Sequence, residues 1–255
     1  MAFVLVAALL LAGCNSGRLV DRVTSPGSAA HDLVSAKAYP KLLLEIDSPS
    51  GYGPDATALQ TLTSALAQVT HRDASAILVD DSDTSIPVDT SKKYSQGEIQ
   101  SLENEHRSRH SSGDTAVLYI LYVAGGSDAD TSAGQVLGAA YHGTSIVMFK
   151  GNILANSDDG FLSTKPYTRN VERAVLVHET GHAMGLVNLG APMQRDHEDH
   201  ADGADGQHHS ANKNSVMYYL VESSRGLLDV VNRGNDIPYQ YDSDDAADLG
   251  ALGAS

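Results

Sequence analysis

The sequence predicts one α/β (α+β) domain built on a mixed β-sheet, and three observations carry that expectation. Lys41-Leu42-Leu43-Leu44-Glu45-Ile46-Asp47 reads as a strand, residues 54–71 as a helix and Ala76-Ile77-Leu78-Val79 as a second strand. That order demands a parallel pair joined by a crossover helix. Residues 115–123 (TAVLYILYV) form a short, continuously apolar run bounded by Asp114 and Gly125-Gly126, as expected of a central strand covered on both faces. Residues 136–141 and 145–149 are separated only by His142-Gly143-Thr144, so they form an antiparallel hairpin with one arm at a sheet edge.

Taken in order, residues 1–14 hold an apolar run too short to span a bilayer that closes on Leu11-Ala12-Gly13-Cys14. This resembles a bacterial lipoprotein signal, which implies export to the cell envelope and a lipid anchor on Cys14. Cys14 is the only cysteine, so the domain can form no internal disulfide and offers no thiolate to a metal. Residues 15–37 are Gly/Ser/Ala-rich with Pro26 and read as a flexible tether, leaving 38–255 as the folded domain. Ser48-Pro49-Ser50-Gly51 ends the first strand. Ala58, Leu62, Ala65, Leu66 and Val69 give the first helix its apolar face. The polar stretch 80–91 reads as a loop. Ser95 with Glu98 forms a capping box that opens a surface helix reaching about Arg109.

Residues 150–166 are turn-rich. In 168–185, Val171, Ala174, Val175, His178 and His182 recur at steps of three and four, which places them on one helix face turned toward the sheet. Gly185 is the natural stop. Residues 194–214 are acidic and His-rich without apolar period, the pattern of a solvated flexible loop. Ser215-Val216-Met217-Tyr218-Tyr219 is apolar again. Asp242, Asp244, Asp245 and Asp248 lack the Gly and spaced Glu of a calcium loop and instead suit the acidic first turn of a last helix.

Hydrophobic residues make up 42% of the chain, enough for a core. With no Trp and three Phe, that core must rest on Leu, Val, Ile, Ala and some of the eleven Tyr. A net charge of −15 with no offsetting basic patch excludes nucleic acid as a partner. A monomer is expected.

The chemistry converges on His178-Glu179-Thr180-Gly181-His182. In HExxH two imidazoles lie one helical turn apart on the same face with a carboxylate beside them. Neutral imidazole is a good zinc ligand, and the Glu can reach water at the metal. HExxH followed by Gly185 and then by Ser215-x-Met217 resembles the metzincin clan of zinc metallopeptidases. The resemblance implies a zincin-like fold: a twisted mixed sheet with one antiparallel edge strand, packed on an active-site helix and a crossover helix, with a C-terminal helix after a Met turn. It further implies Zn²⁺ as cofactor, a peptide or protein substrate lying along the edge run Leu137-Gly138-Ala139-Ala140-Tyr141, and Met217 as hydrophobic floor. Glu179 would be the general base. Tyr219 occupies the position at which astacin-like and serralysin-like members carry a tyrosine near the metal. It would donate to the developing oxyanion, unless it and Tyr218 are simply packed aromatics.

The clan's third ligand sits six residues after the second His, and here that position is Asn188, a weak neutral ligand for zinc. Downstream lie Asp196-His197-Glu198-Asp199-His200 and His208-His209. His197, beyond the Gly190-Ala191-Pro192 turn, is the first choice for third ligand, with Asn188 the alternative and Asp196, His200 or His208 behind it. His71, His106, His110 and His142 are isolated and read as surface or loop residues. The expected function is a lipid-anchored zinc endopeptidase. Its rivals are a non-catalytic metal-binding lipoprotein with a degenerate site, and a zinc hydrolase acting on a cell-wall amide.

Overall fold

The computed structural model describes residues 25–160, 163–232 and 236–254. The expected signal ending at Cys14 and the first part of the tether lie outside the described residues. The strands are β1 (Lys41–Pro49), β2 (Ile77–Ile86), β3 (Lys93–Tyr94), β4 (Thr115–Val123), β5 (Gly126–Ser127), β6 (Gly138–His142) and β7 (Ser145–Phe149). The helices are α1 (Ala30–Val34), α2 (Ala56–Val69), α3 (Gln96–His106), α4 (Lys150–Asn156), α5 (Thr168–Ala183), α6 (Ser224–Asn232) and α7 (Ser243–Ala254).

The main sheet runs β2-β1-β4-β7-β6. Every neighbouring pair is parallel except β6 against β7, so the hairpin expected from the three-residue join supplies the one antiparallel edge. Strand β4 is covered on both faces, as its unbroken apolar run requires. Leu118, Ile120 and Tyr122 join the core under α2 and α5. Tyr119, Leu121 and Val123 pack with Ile99 of α3, Tyr141 and Phe149 on the other side. Asp55 caps α2 by accepting from Thr57 N and Ala58 N, and the Ser95/Glu98 capping box opens α3.

Four features depart from the sequence reading. Strand β2 continues through Asp80–Ile86, because an edge strand wetted on its outer side needs no apolar alternation. Helix α4 arises in the stretch read as turn-rich, being too short to display a period, and α6 in a stretch assigned no element, although Leu227, Val230 and Val231 recur there at steps of three and four. Residues 25–37 do not behave as tether: Leu33 and Val34 are fully buried. The Arg72 guanidinium clasps this segment by donating to the carbonyls of Leu33, Val34, Ser35 and Tyr39. Finally, the 194–214 loop is pinned, with His197, Asp199, His209 and Ser210 buried.

The helix that carries HExxH is itself held from below. Glu172 on α5 is fully buried, accepts from Asp55 N at 2.9 Å and Tyr122 Oη at 3.2 Å, and pairs with Lys150. A buried carboxylate this completely satisfied fixes α5 against α2, α4 and β4. Among the described residues no helix is long and apolar enough to cross a membrane.

Candidate metal centre

His178 and His182 project from the same face of α5, with their Nε2 atoms 3.0 Å apart. The His178 ring is oriented by Nδ1–H donating to Val216 O at 2.6 Å, which leaves Nε2 as the free lone pair. Val216 lies in the turn below the helix, where Met217 N donates to Ser215 Oγ (2.9 Å) and Ser215 Oγ donates to Asp245 Oδ2 (2.6 Å). The last helix therefore braces the turn at residues 215–217, and the turn braces the imidazole. Gly181 explains one of the two unspecified positions of the motif. A Cβ there would overlap Met217 Sδ, so glycine is needed for the buried Met217 floor to seat against α5. Helix α5 ends as expected: Gly185 adopts φ +82°, and Leu186 N returns to Gly181 O at 3.0 Å.

The third imidazole is His209, not His197. His178, His182, His209 and Glu222 form a group whose ligand atoms all lie within 4.8 Å of one another, and it can hold a metal ion. The His209 ring stacks on His178 at 5.3 Å between centroids and meets His182 edge-on at 5.0 Å. All three imidazoles are buried. Burial pushes the His182 pKa down to about 4, outweighing the raising effect of Glu222, so at neutral pH this ring is the neutral, ligating form.

His197 is buried elsewhere. Its Nε2–H donates to Asp248 Oδ2 at 2.9 Å, and Nδ1 lies 3.9 Å from Asp245 Oδ1. The Gly190-Ala191-Pro192 turn carries it under α7 rather than under the histidine pair. Asn188 is likewise a brace: at φ +64° its Nδ2 donates to Glu198 Oε2 (3.2 Å), while Glu198 Oε1 accepts from His208 N (2.8 Å). Glu198 thus connects Asn188 to the segment that presents His209. Asp199 N donating to His209 O and Ser210 N donating to Met217 O, both at 2.8 Å, complete the placement. Asp196 pairs with His200 at the surface, away from the group.

Glu179 points from α5 to the edge strand. Its Oε2 accepts from Ala140 N at 2.9 Å, and its buried Oε1 has no hydrogen-bond partner among the described residues. Burial and then the charge of Glu222 raise its pKa well above the ordinary carboxyl value. Glu222 behaves oppositely: desolvation on its side facing the histidines works against its charge even though the side chain is part-exposed at the cleft wall, but the imidazoles of His178, His182 and His209 outweigh it and hold its pKa well down. Gly138 makes this closeness possible, since a Cβ there would stand 2.7 Å from Val175 Cγ1 and 2.8 Å from Glu179 Cγ.

A cleft of about 310 Å³ opens on the group, bounded by Gly138, Ala139 and Ala140 of β6 on one side and by Leu189, Gln207 and His208 on the other. Pro26 also lines it, so the N-terminal segment reaches the cleft mouth. A cavity of about 390 Å³ between α2 and residues 239–246 holds no imidazole or carboxylate and has no such chemistry. Tyr219 is not brought to the cleft. It stacks edge-on with Tyr218 and lines a neighbouring cavity with Leu220 and Arg225, because Tyr219–Val221 coils into a short 3₁₀ helix that delivers Glu222 instead. His71, His106, His110 and His142 are not part of the metal group; His142 pairs with Glu103.

No protein-family model matches the chain, and no curated protein matches it.

Proposed function

We propose that this protein is a zinc-dependent endopeptidase of zincin type that hydrolyses peptide bonds in an extended substrate laid along β6. The observation that carries the reading is the convergence of three buried imidazoles with a Glu carboxylate that touches both their helix and the free edge of the sheet. The donor set suits Zn²⁺, which favours nitrogen ligands in tetrahedral array. A zinc ion held by His178, His182 and His209 would polarise the scissile carbonyl and acidify water beside it.

The chain's own residues do the rest. Strand β6 is a sheet edge, and such an edge can pair with an extended peptide through main-chain hydrogen bonds. Glu179 is within reach of both the metal group and the strand, so it can take a proton from the attacking water and hand it to the leaving nitrogen. Its desolvated, proton-retaining environment favours the delivery step, while a cation alongside favours the charged, accepting form. The Leu11-Ala12-Gly13-Cys14 sequence supports envelope attachment through Cys14, which radiolabelled palmitate and a Cys14→Ala variant test directly.

The deciding experiment is zinc content together with cleavage of an unfolded protein. One zinc per chain, cleavage abolished by a chelator and by Glu179→Gln, and zinc retained in that variant are the expected results. Bound zinc without cleavage of any unfolded substrate would favour a non-catalytic metal-binding protein, a reading that the fourth donor Glu222 makes specific.

A further inference from the structure

The ligand atoms of the three histidines and Glu222 all lie within 4.8 Å of one another. A tetrahedral zinc with bonds of about 2.0–2.1 Å keeps its donors about 3.3–3.4 Å apart. Here His178 Nε2 to His182 Nε2 is 3.0 Å, and Glu222 Oε1 stands 3.6 Å from each of these nitrogens. The same oxygen pairs with His209 Nε2. Glu222 Oε1 therefore lies within 3.6 Å of an Nε2 atom of each of the three imidazoles, close enough to act as a fourth donor in the position that a catalytic site leaves to water or substrate and that a structural site fills with protein.

Glu222 also differs from its neighbours in access. Its side chain is 41% exposed, whereas those of His178 and His182 are 0% and 9%. Its backbone, by contrast, is fixed: Glu222 O accepts from Leu137 N (3.1 Å), Ser224 N donates to Gln135 O (3.0 Å), and Val136 bridges Ser223. The residue hangs from the start of the edge strand, at the wall of the cleft, with only its side chain free to turn outward.

We infer that Glu222 is a fourth protein ligand of the metal in the resting protein, and that its carboxylate swings into the open cleft when a substrate carbonyl takes its place. The ligand assignment needs only that the group binds a metal; the displacement rests on the hydrolase reading above. The resting site is then self-blocked without a thiol.

Cobalt substitution tests it on the intact chain. Wild type, Glu222→Gln and Glu222→Ala are loaded with Co²⁺, and their visible spectra, metal affinity and response to azide are compared, with thermal unfolding confirming that each variant folds. Loss of the carboxylate should change the d–d absorption, weaken metal binding at least about tenfold, and let azide perturb the spectrum at concentrations that leave wild type unchanged. Identical spectra, affinities and azide titrations in all three proteins would overturn the assignment. If the spectra change and zinc-loaded Glu222→Ala cleaves a short unstructured peptide faster than wild type, both parts hold. A changed spectrum with slower cleavage by Glu222→Ala refutes the displacement. If the spectra change and no zinc-loaded protein cleaves anything, Glu222 is a ligand and the hydrolase reading fails.

Discussion

Replacing Gly138 by alanine should push the edge strand away from Glu179 while leaving the metal group in place. The added Cβ would lie 2.7 Å from Val175 Cγ1 and 2.8 Å from Glu179 Cγ. Carbon atoms rest comfortably at about 3.5 Å or more, so β6 and α5 must part by roughly 0.7 Å. Overpacking of this kind costs about 1–3 kcal/mol, which in a domain of this size lowers Tm by about 2–4 °C per kcal/mol. The strand that moves is the strand whose Ala140 N–H holds Glu179. A misplacement approaching 1 Å at a reacting group costs on the order of 100-fold in rate. His178, His182 and His209 do not supply any of the three atoms nearest the new methyl, so zinc content should stay at one per chain. The assays are thermal unfolding of the metal-free protein, zinc analysis, and the rate of cleavage of an unfolded substrate. A Gly138→Ala protein with unchanged Tm and rate would refute the claim that this glycine sets the distance between the edge strand and α5.

His209→Ala should abolish stoichiometric zinc, whereas His197→Ala should keep it while losing about 1–3 kcal/mol of stability, because the buried Asp248 loses the donor to Oδ2 and keeps only Gln194 N on Oδ1; equilibrium dialysis and urea unfolding distinguish them. Asn188→Ala should weaken zinc binding about 10–100-fold through the Glu198 brace, measured by competition with a chromogenic chelator. Burial raises the Asp47 carboxyl from 3.8 to about 6 against the opposing Tyr119 hydrogen bond. The folded state therefore holds this proton more tightly, and stability falls as pH rises from 3.8 to 6. At about 1.4 kcal/mol per pH unit the upper limit is ~3 kcal/mol, so Asp47→Asn should flatten that fall in urea unfolding at pH 4 and pH 7. For Glu103, burial works against the charge, but the His142, Arg107 and Ser145 hydrogen bonds prevail and bring it from 4.5 to about 2. Its contribution is present above 4.5 and lost as pH drops toward 2, so Glu103→Gln should lower neutral stability and weaken the dependence on acid over that window.

The sequence by itself determined whatever depends on local periodicity or on short connections. The unbroken apolar run of β4 required two covered faces, the three-residue join before β7 required an antiparallel edge, and the helical step from His178 to His182 put two imidazoles together. Capping at Ser95 and the stop at Gly185 are equally local. The third imidazole was not legible, although His208-His209 stood among the downstream candidates. Which histidine of an aperiodic loop reaches the metal is decided by partners far away in sequence. Asp248 draws in His197, Glu198 ties Asn188 to His208, and Met217 O receives Ser210 N. Glu222 was hidden for the same reason: a carboxylate after a 3₁₀ turn carries no pattern, and only the docking of residues 222–224 on the first residues of the edge strand brings it to the histidines. Local spacing set two donors and the adjoining Glu179. Long-range hydrogen bonds chose the other two donors, because a flexible segment takes its conformation from the surfaces it meets.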